Sequence, residues 1–98
     1  MPSAKFDEVY KKVSAMGEKL KASGAQGPSN DEQLKLYANA KIAQGADINA
    51  AKKPGMFDLT GKAKYNKWKE VADAGTTQEQ AEQEYIKTGE EVLAKYDK

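Results

Sequence analysis

Three side chains of different chemistry, Leu34, Tyr37 and Lys41, recur at spacings of three and four residues. At 100° per residue they lie on one side of a helix, about a third to half a turn from its most apolar side. An apolar group, a phenol and an ammonium in one row suit a ligand with an apolar part and a phosphate part. Alternatively, Leu34 and Tyr37 lie at the edge of a core and Lys41 is solvated. These three residues alone favour the second interpretation.

Catalytic chemistry has little support in the composition. The 98 residues include no cysteine and no histidine, which excludes disulfides, thiol nucleophiles and thiolate metal sites and removes the commonest general base and metal ligand. No pair of carboxylates is marked by a motif as an acid and base. We therefore predict a protein that is not an enzyme, with no catalytic residue, no metal site and no cofactor.

The charge is nearly balanced, with 16 basic and 15 acidic residues, and every basic residue is a lysine. No global field would hold such a chain on nucleic acid or on an anionic membrane, so any anion site must be local. Four lysines interleave with two aromatic residues in the third predicted helix: Lys62, Lys64, Tyr65, Lys67, Trp68 and Lys69. Such a pattern binds nucleic acid in a net basic domain. Here it indicates a solvated helix face with Trp68 in the core, and no nucleic-acid partner.

The first half of the chain predicts two helices. Ser3 is a suitable N-cap for a helix ending near Lys21, with apolar residues at helical spacing: Phe6, Val9, Tyr10, Val13, Met16 and Leu20. Residues 22–28 include two glycines and a proline and form a flexible connector. Ser29 and Glu32 have capping-box spacing and begin a second helix that runs to about Gln44. Its apolar side is formed by Leu36, Ala40 and Ala43.

The second half predicts a long loop and two further helices. Residues 46–59 keep neither helix nor strand periodicity, and long loops within compact domains are often functional. Thr60 is a suitable cap for a helix through Val71. A fourth helix starts at Thr76 or Thr77 and shows one apolar stripe: Ala81, Tyr85, Ile86, Gly89, Val92, Leu93 and Tyr96. No segment alternates as a strand does, so we predict an all-α fold of four helices around one core, in one domain of residues 1–98.

The termini and hydropathy bear on location. No apolar run approaches the roughly 20 residues needed to span a bilayer, and no apolar signal-peptide segment follows Met1–Lys5. We therefore predict a cytoplasmic protein without stable membrane insertion.

Four ordered motifs carry a resemblance to a known family: YANAK at 37–41, DIN at 47–49, PGMFD at 54–58 and GKAKYNKW at 61–68. From Phe6 to Tyr96 the chain resembles the acyl-CoA-binding protein family. The resemblance implies an up-down-down-up four-helix bundle in which an overhand crossover loop joins helices 2 and 3. It also implies a non-catalytic, monomeric carrier that binds long-chain fatty acyl-CoA esters for transport and pool formation.

The resemblance also implies roles for individual residues. The residues that match family positions at the CoA headgroup are Tyr37, Lys41, Lys64 and Tyr85, with the two lysines placed for phosphate. Tyr10 matches a position beside the adenine, and Leu34 and Ala63 match positions near the acyl groove.

The chain departs from the family pattern in four places. Ala40 stands where the family has a second tyrosine, and Ser14 where it often has a lysine; both are counted among the candidate acyl-CoA-binding residues. Tyr65 replaces the first tryptophan of a Lys-Trp-x-x-Trp pattern. The connector between about residue 17 and residue 30 is several residues longer than usual, and one extra residue lies between Asp47 and Pro54.

Two other classes of function compete with a carrier. A helical interaction module would bind a partner's amphipathic helix in a groove, which explains Leu34 and Tyr37 but not two lysines at family phosphate positions. An enzyme acting on acyl-CoA lacks the histidine and cysteine that such chemistry commonly uses. Titration with acyl-CoA, CoA and free fatty acid distinguishes the three.

Overall fold

Four helices make up the architecture in a computed structural model that describes residues 3–97. They are α1 (Ala4–Ser23), α2 (Asn30–Ala43), α3 (Leu59–Asp73) and α4 (Gln78–Tyr96). No strand occurs among the described residues. The predicted all-α class is therefore confirmed.

Three of the four predicted helix starts are confirmed. The side chains of Ser3, Ser29 and Thr77 each accept a hydrogen bond from a first-turn backbone N–H, and the last two form complete capping boxes. The prediction for α3 was wrong, because Asp58 rather than Thr60 is its N-cap. The Asp58 carboxylate accepts the Gly61 N–H at 2.9 Å, and its negative charge also suits the positive end of the helix.

The first connector is shorter than predicted. Helix α1 continues through Ser23, two residues past Lys21, and ends at Gly24 with φ 72°. Glycine adopts this left-handed conformation without strain, which is why the helix ends there. Residues 17–23 of the lengthened segment are thus helical, and the connector itself is residues 24–29.

Contacts near both ends of the helices show that α1 and α4 run parallel. At one end the Ser3 N–H donates to the Glu82 carboxylate at 2.7 Å. At the other, the Lys19 ammonium pairs with the Asp97 carboxylate at 2.8 Å. Near the middle the two helices approach so closely that a Cβ at Gly89 would lie 2.6 Å from Val9 Cγ1.

Helix α2 packs on both α4 and α3, and it runs antiparallel to α4. The Tyr96 hydroxyl donates to the Glu32 carboxylate at 3.0 Å near the start of α2, and the Gln78 amide lies 3.5 Å from the Ala43 carbonyl oxygen near its end.

Helices α2 and α3 run parallel. Near the start of α2, Leu34 lines a cavity with Ala63 of α3. About one turn further along α2, Tyr37 packs against Trp68, which also lies further along α3. The bundle is therefore up-down-down-up, as the resemblance implies. Because α2 and α3 are parallel, the segment that joins them must return along the length of α2, which is about 21 Å. The loop of residues 44–58 is long enough to span that distance. Ile48, only 9% exposed, anchors this loop to the core.

The core contains apolar side chains from all four helices: Phe6, Val9, Met16, Leu36, Ala38, Ala40, Ile42, Ala43, Trp68, Ala81, Tyr85 and Val92. The predicted burial of Trp68 and of most of the α4 stripe is confirmed. Asn39 and Thr88 are buried polar residues that periodicity did not indicate. The Asn39 amide donates to the Lys35 carbonyl at 3.0 Å, which offsets the cost of its burial.

Acid stability should depend on Glu32. The Ser29 N–H, then the Tyr96 hydroxyl and the Lys95 ammonium, hydrogen-bond to this carboxylate and lower its pKa to about 2. A group whose pKa is lower in the folded than in the unfolded state stabilises the fold above its unfolded pKa, roughly 4.3, and that stabilisation is lost as the pH falls. We therefore expect the melting temperature to fall between about pH 4.5 and pH 2, and to fall less steeply in Glu32→Gln.

Thermal melts across that pH range check this expectation. Glu79→Gln, which removes an exposed carboxylate from the first turn of α4, controls for the loss of one charge. Equal acid slopes for wild type and Glu32→Gln would contradict the assignment.

Candidate functional site

Four adjoining cavities meet at Tyr37 and Lys64. Tyr37 lines cavities of about 580, 450 and 210 Å³. Lys64 lines the two largest of these and a further one of about 280 Å³. The parallel packing of α2 on α3 places these two residues side by side.

The electrostatics at this junction favour an anion. The ammonium groups of Lys41 and Lys64 lie 5.6 and 5.4 Å from the centroid of the Tyr37 ring. Neither lysine forms an ion pair with a carboxylate of residues 3–97. Two half-buried positive charges that share one ring and form no ion pair within residues 3–97 attract phosphate more strongly than solvated lysines do.

The crossover loop adds two lysines that the sequence analysis missed. Lys52 and Lys53 line the 450 Å³ cavity together with Lys41 and Lys64. The one acidic residue in its lining is Asp58, whose carboxylate caps α3. The available signal was a Lys-Lys pair directly before Pro-Gly in a long loop, but only the folded loop shows that it faces α2.

The 210 Å³ cavity has an aromatic wall. The ring centroids of Tyr10 and Tyr85 lie 5.8 Å apart, and the ring centroid of Phe6 lies 4.9 Å from that of Tyr85. Tyr85 is only 2% exposed. Burial, with a smaller contribution from Tyr10, raises the pKa of Tyr85 above its usual range, so its phenol stays neutral and can donate. Ala40, 7% exposed, lines the same cavity.

The Tyr85 hydroxyl opens into this cavity. It forms no hydrogen bond with residues 3–97, yet no buried side-chain polar atom in that range lacks a partner. The hydroxyl must therefore be accessible, and the 210 Å³ cavity is the one that Tyr85 lines.

Two of the cavities have largely apolar walls. The 280 Å³ cavity is a groove between the first turns of α2 and α3, with Leu34, Leu59 and Ala63 in its lining. The 580 Å³ cavity lies between the second half of α1, the connector and α2. Its lining includes Val13, Ser14, Met16, Leu20, Pro28 and Leu36. Grooves of this kind suit an alkyl chain.

The structure brings all nine predicted site residues to these cavities. Tyr10, Ala40 and Tyr85 line the 210 Å³ cavity, Ser14 the 580 Å³ cavity, and Leu34 and Ala63 the 280 Å³ groove, while Tyr37, Lys41 and Lys64 each line at least two. Proximity is thus established. The role of each residue toward a ligand stays a prediction.

Residues 3–97 contain neither a cluster of metal-ligating side chains nor a helix that could span a membrane. No group of three or more acidic, histidine or cysteine side chains in that range could hold a metal ion. None of the four helices has the length and apolarity needed to cross a membrane.

An all-α bundle whose cavities combine lysines, tyrosines and an apolar groove defines a helical ligand-binding protein. The model of the family described as "Acyl CoA binding protein" matches residues 3–89. The chain belongs to the acyl-CoA-binding protein family, and the resemblance seen in its motifs is confirmed.

Several named relatives are similar over much of their length. The chain is 44% identical over 88 residues to the acyl-CoA-binding protein homolog of Drosophila melanogaster, covering 90% of this chain and 98% of the relative. It is 38% identical over 96 residues to the acyl-CoA-binding protein of Saccharomyces cerevisiae, covering 98% of each. It is 49% identical over 69 residues to acyl-CoA-binding protein homolog 1 of Caenorhabditis elegans, covering 70% of this chain and 77% of the relative.

Proposed function

We propose that this protein is a carrier of long-chain fatty acyl-CoA esters. The observation that carries the proposal is the pair of lysines, Lys41 and Lys64, beside the ring of Tyr37 and without a carboxylate partner among the described residues. Family membership and the names of the relatives support the same ligand class. The family's proteins are non-catalytic carriers, and this chain is not an enzyme.

The cavities suggest how the ligand is divided among them. The four lysines around the 450 Å³ cavity bind the CoA phosphates, and the neutral phenol of Tyr85 donates to a headgroup oxygen. The adenine stacks beside Tyr10 in the 210 Å³ cavity. The acyl chain follows the groove lined by Leu34 and Ala63.

The acyl chain and the CoA headgroup contribute differently to the affinity and selectivity of binding. Burial of each methylene stabilises the complex by about 0.8 kcal/mol, so a chain of roughly 16 carbons offers on the order of 10 kcal/mol before ordering costs. The tail therefore supplies most of the affinity, while the lysines and tyrosines select CoA esters over free fatty acids. Shielding the tail from water suits a monomeric, single-domain carrier in the cytoplasm that transports acyl-CoA and maintains a pool of it.

Calorimetric titration with palmitoyl-CoA, CoA and palmitate tests the proposal. We expect strong binding of the ester, weak binding of CoA and negligible binding of palmitate, with the ester recovered intact. Comparable affinity for palmitate would contradict a CoA-selective carrier. Binding of an amphipathic peptide helix but not of the ester would favour the interaction module, and recovery of cleaved ester would favour an enzyme.

Ala40→Tyr should tighten binding of palmitoyl-CoA by about 5-fold or more. The new side chain would extend into the 210 Å³ cavity, close to Tyr10 and Tyr85, where it can stack on adenine. Stacking of one base on an aromatic ring contributes roughly 1 to 3 kcal/mol in nucleic-acid complexes. Titration of the variant measures the gain.

Palmitoyl-phosphopantetheine, which lacks adenine, is the control ligand for Ala40→Tyr and should gain nothing. Equal gains for both ligands would show that the new ring contacts the tail or the pantetheine. A large drop in melting temperature would instead show that Ala40, 7% exposed, is required at its present size by the core.

A further inference from the structure

Three large apolar side chains at the end of the crossover loop and the start of α3 are mostly exposed. Met56 is 74% exposed, Phe57 91% and Leu59 77%; we call these three residues the apolar tip. The tip is formed by a turn in which the Asp58 N–H donates to the Gly55 carbonyl at 3.1 Å, and Asp58 then caps α3. An apolar patch presented on an ordered turn indicates a surface that is covered in some functional state.

The tip lies in the most basic part of the chain. Residues 44–69 contain six lysines and two aspartates, a net charge of +4; because the whole chain carries +1, the remaining residues carry −3. Lys52, Lys53 and Lys62 flank the tip in sequence and form no ion pair with a carboxylate of residues 3–97. Asp58 lies between Phe57 and Leu59 in the sequence, and its carboxylate caps α3.

The tip also adjoins the apolar groove of the candidate site. Leu59 lines the 280 Å³ groove together with Leu34 and Ala63, although most of its surface is exposed. Met56 and Phe57 line none of the four cavities of the site. The groove therefore opens beside a surface that is both apolar and positively charged.

We propose that the apolar tip and its flanking lysines dock reversibly on an anionic lipid surface. Exposed apolar side chains beside free lysines match the interface of an anionic bilayer, where the side chains enter the acyl boundary and the ammonium groups meet lipid phosphates. A partner helix would need a groove around the tip, whereas these side chains are exposed by 74 to 91%. Three side chains and a few lysines make the contact weak, and it requires anionic lipid.

Docking in this orientation brings the open groove to the lipid surface. A long alkyl chain could then pass between bilayer and groove with little exposure to water. The docking itself goes beyond the proposed carrier function and is tested on ligand-free protein, so neither idea depends on the other.

Vesicle flotation with ligand-free protein tests the proposal. We expect binding to vesicles of 30% phosphatidylserine in phosphatidylcholine and little binding to phosphatidylcholine alone. Phe57→Ser should lower the partition coefficient by about 10-fold, because a phenyl ring no longer leaves water, whereas Phe57→Leu should retain most of it. Lys62→Gln should weaken binding about 3-fold or more, and Lys87→Gln, at an exposed position on α4, should not.

Further measurements separate the outcomes. Phe57→Ser should keep the wild-type melting temperature and the wild-type affinity for palmitoyl-CoA, since Phe57 is exposed and lines none of the four cavities. Absence of binding to anionic vesicles, or binding that Phe57→Ser leaves unchanged, would overturn the docking proposal. Self-association in sedimentation equilibrium that Phe57→Ser abolishes would also overturn it, by identifying a second copy as the occupant. Wild type that binds anionic vesicles but not palmitoyl-CoA would refute the carrier function alone.

Discussion

Lys41→Ala and Lys64→Ala together are expected to weaken binding of palmitoyl-CoA by about 100-fold. A hydrogen bond to a charged group contributes roughly 1.5 to 3 kcal/mol, and because both side chains are half-buried we take the lower end, about 10-fold for each. Melting temperature should barely change, since neither lysine pairs with a carboxylate of residues 3–97. Titration of the two single variants and the double variant measures the effect.

Salt and a matched lysine provide the controls. Binding by the wild type should weaken moderately as salt rises, because ammonium–phosphate attraction is screened while burial of the tail is not. The double variant should show less salt dependence. Lys87→Ala, at an exposed position on α4 outside the four cavities, should bind as the wild type does. If the double variant lost stability but kept its affinity, the two lysines would be structural and the phosphates would bind elsewhere.

The second large effect is expected at Tyr37, which lines three of the four cavities. Tyr37→Ala removes the ring that the Lys41 and Lys64 ammonium groups both approach, so the two groups lose a shared contact and three cavities lose part of their lining. We expect affinity for palmitoyl-CoA to fall by about 30-fold, in keeping with the roughly 1 to 3 kcal/mol that one stacking aromatic contributes. Titration below the melting temperature of the variant measures the loss.

Tyr65 offers a matched control for the Tyr37 substitution. Both rings pack edge-on against Trp68 with centroids 6.5 Å away, and both are half-buried. Tyr65→Ala therefore removes a ring of the same size and a similar contact with Trp68, yet it alters only one of the four cavities. Tyr37→Phe should keep most of the affinity. If Tyr37→Phe lost as much affinity as Tyr37→Ala, the hydroxyl rather than the ring would be responsible. Equal losses of affinity in Tyr37→Ala and Tyr65→Ala would indicate a general packing defect.

The helices themselves were predictable from sequence because their signals are local. A capping box joins residues three apart, as at Ser29–Glu32 and Thr77–Gln80, and both helix starts were predicted correctly. Apolar periodicity likewise indicated that Met16 and Val92 are buried. The error at α3 has a local cause too, since Asp58 and Thr60 are both good caps and only the folded turn decides between them.

The resemblance supplied what periodicity could not, namely the helix directions and the ligand class. Periodicity identifies the buried side of a helix but not the neighbour that covers it. Nothing in the spacing of Leu34, Tyr37 and Lys41 distinguished a ligand face from a core edge. The parallel packing of α3 on α2 places Lys64 beside Tyr37, which favours the ligand face, and that role stays a prediction.

Two features were decided by tertiary structure alone. Lys52 and Lys53 face Lys41 and Lys64 because the crossover loop returns along α2, a path that depends on contacts far apart in sequence, such as the burial of Ile48. Phe57 belongs to a residue type that is usually buried, yet it is 91% exposed, because the turn that caps α3 directs it away from the core. Caps and periodicities act within about one helical turn, so the sequence by itself determined the four helices and their apolar sides. The cluster of four lysines around the 450 Å³ cavity and the exposed apolar tip depend on the path of the loop, and only tertiary packing determined that path.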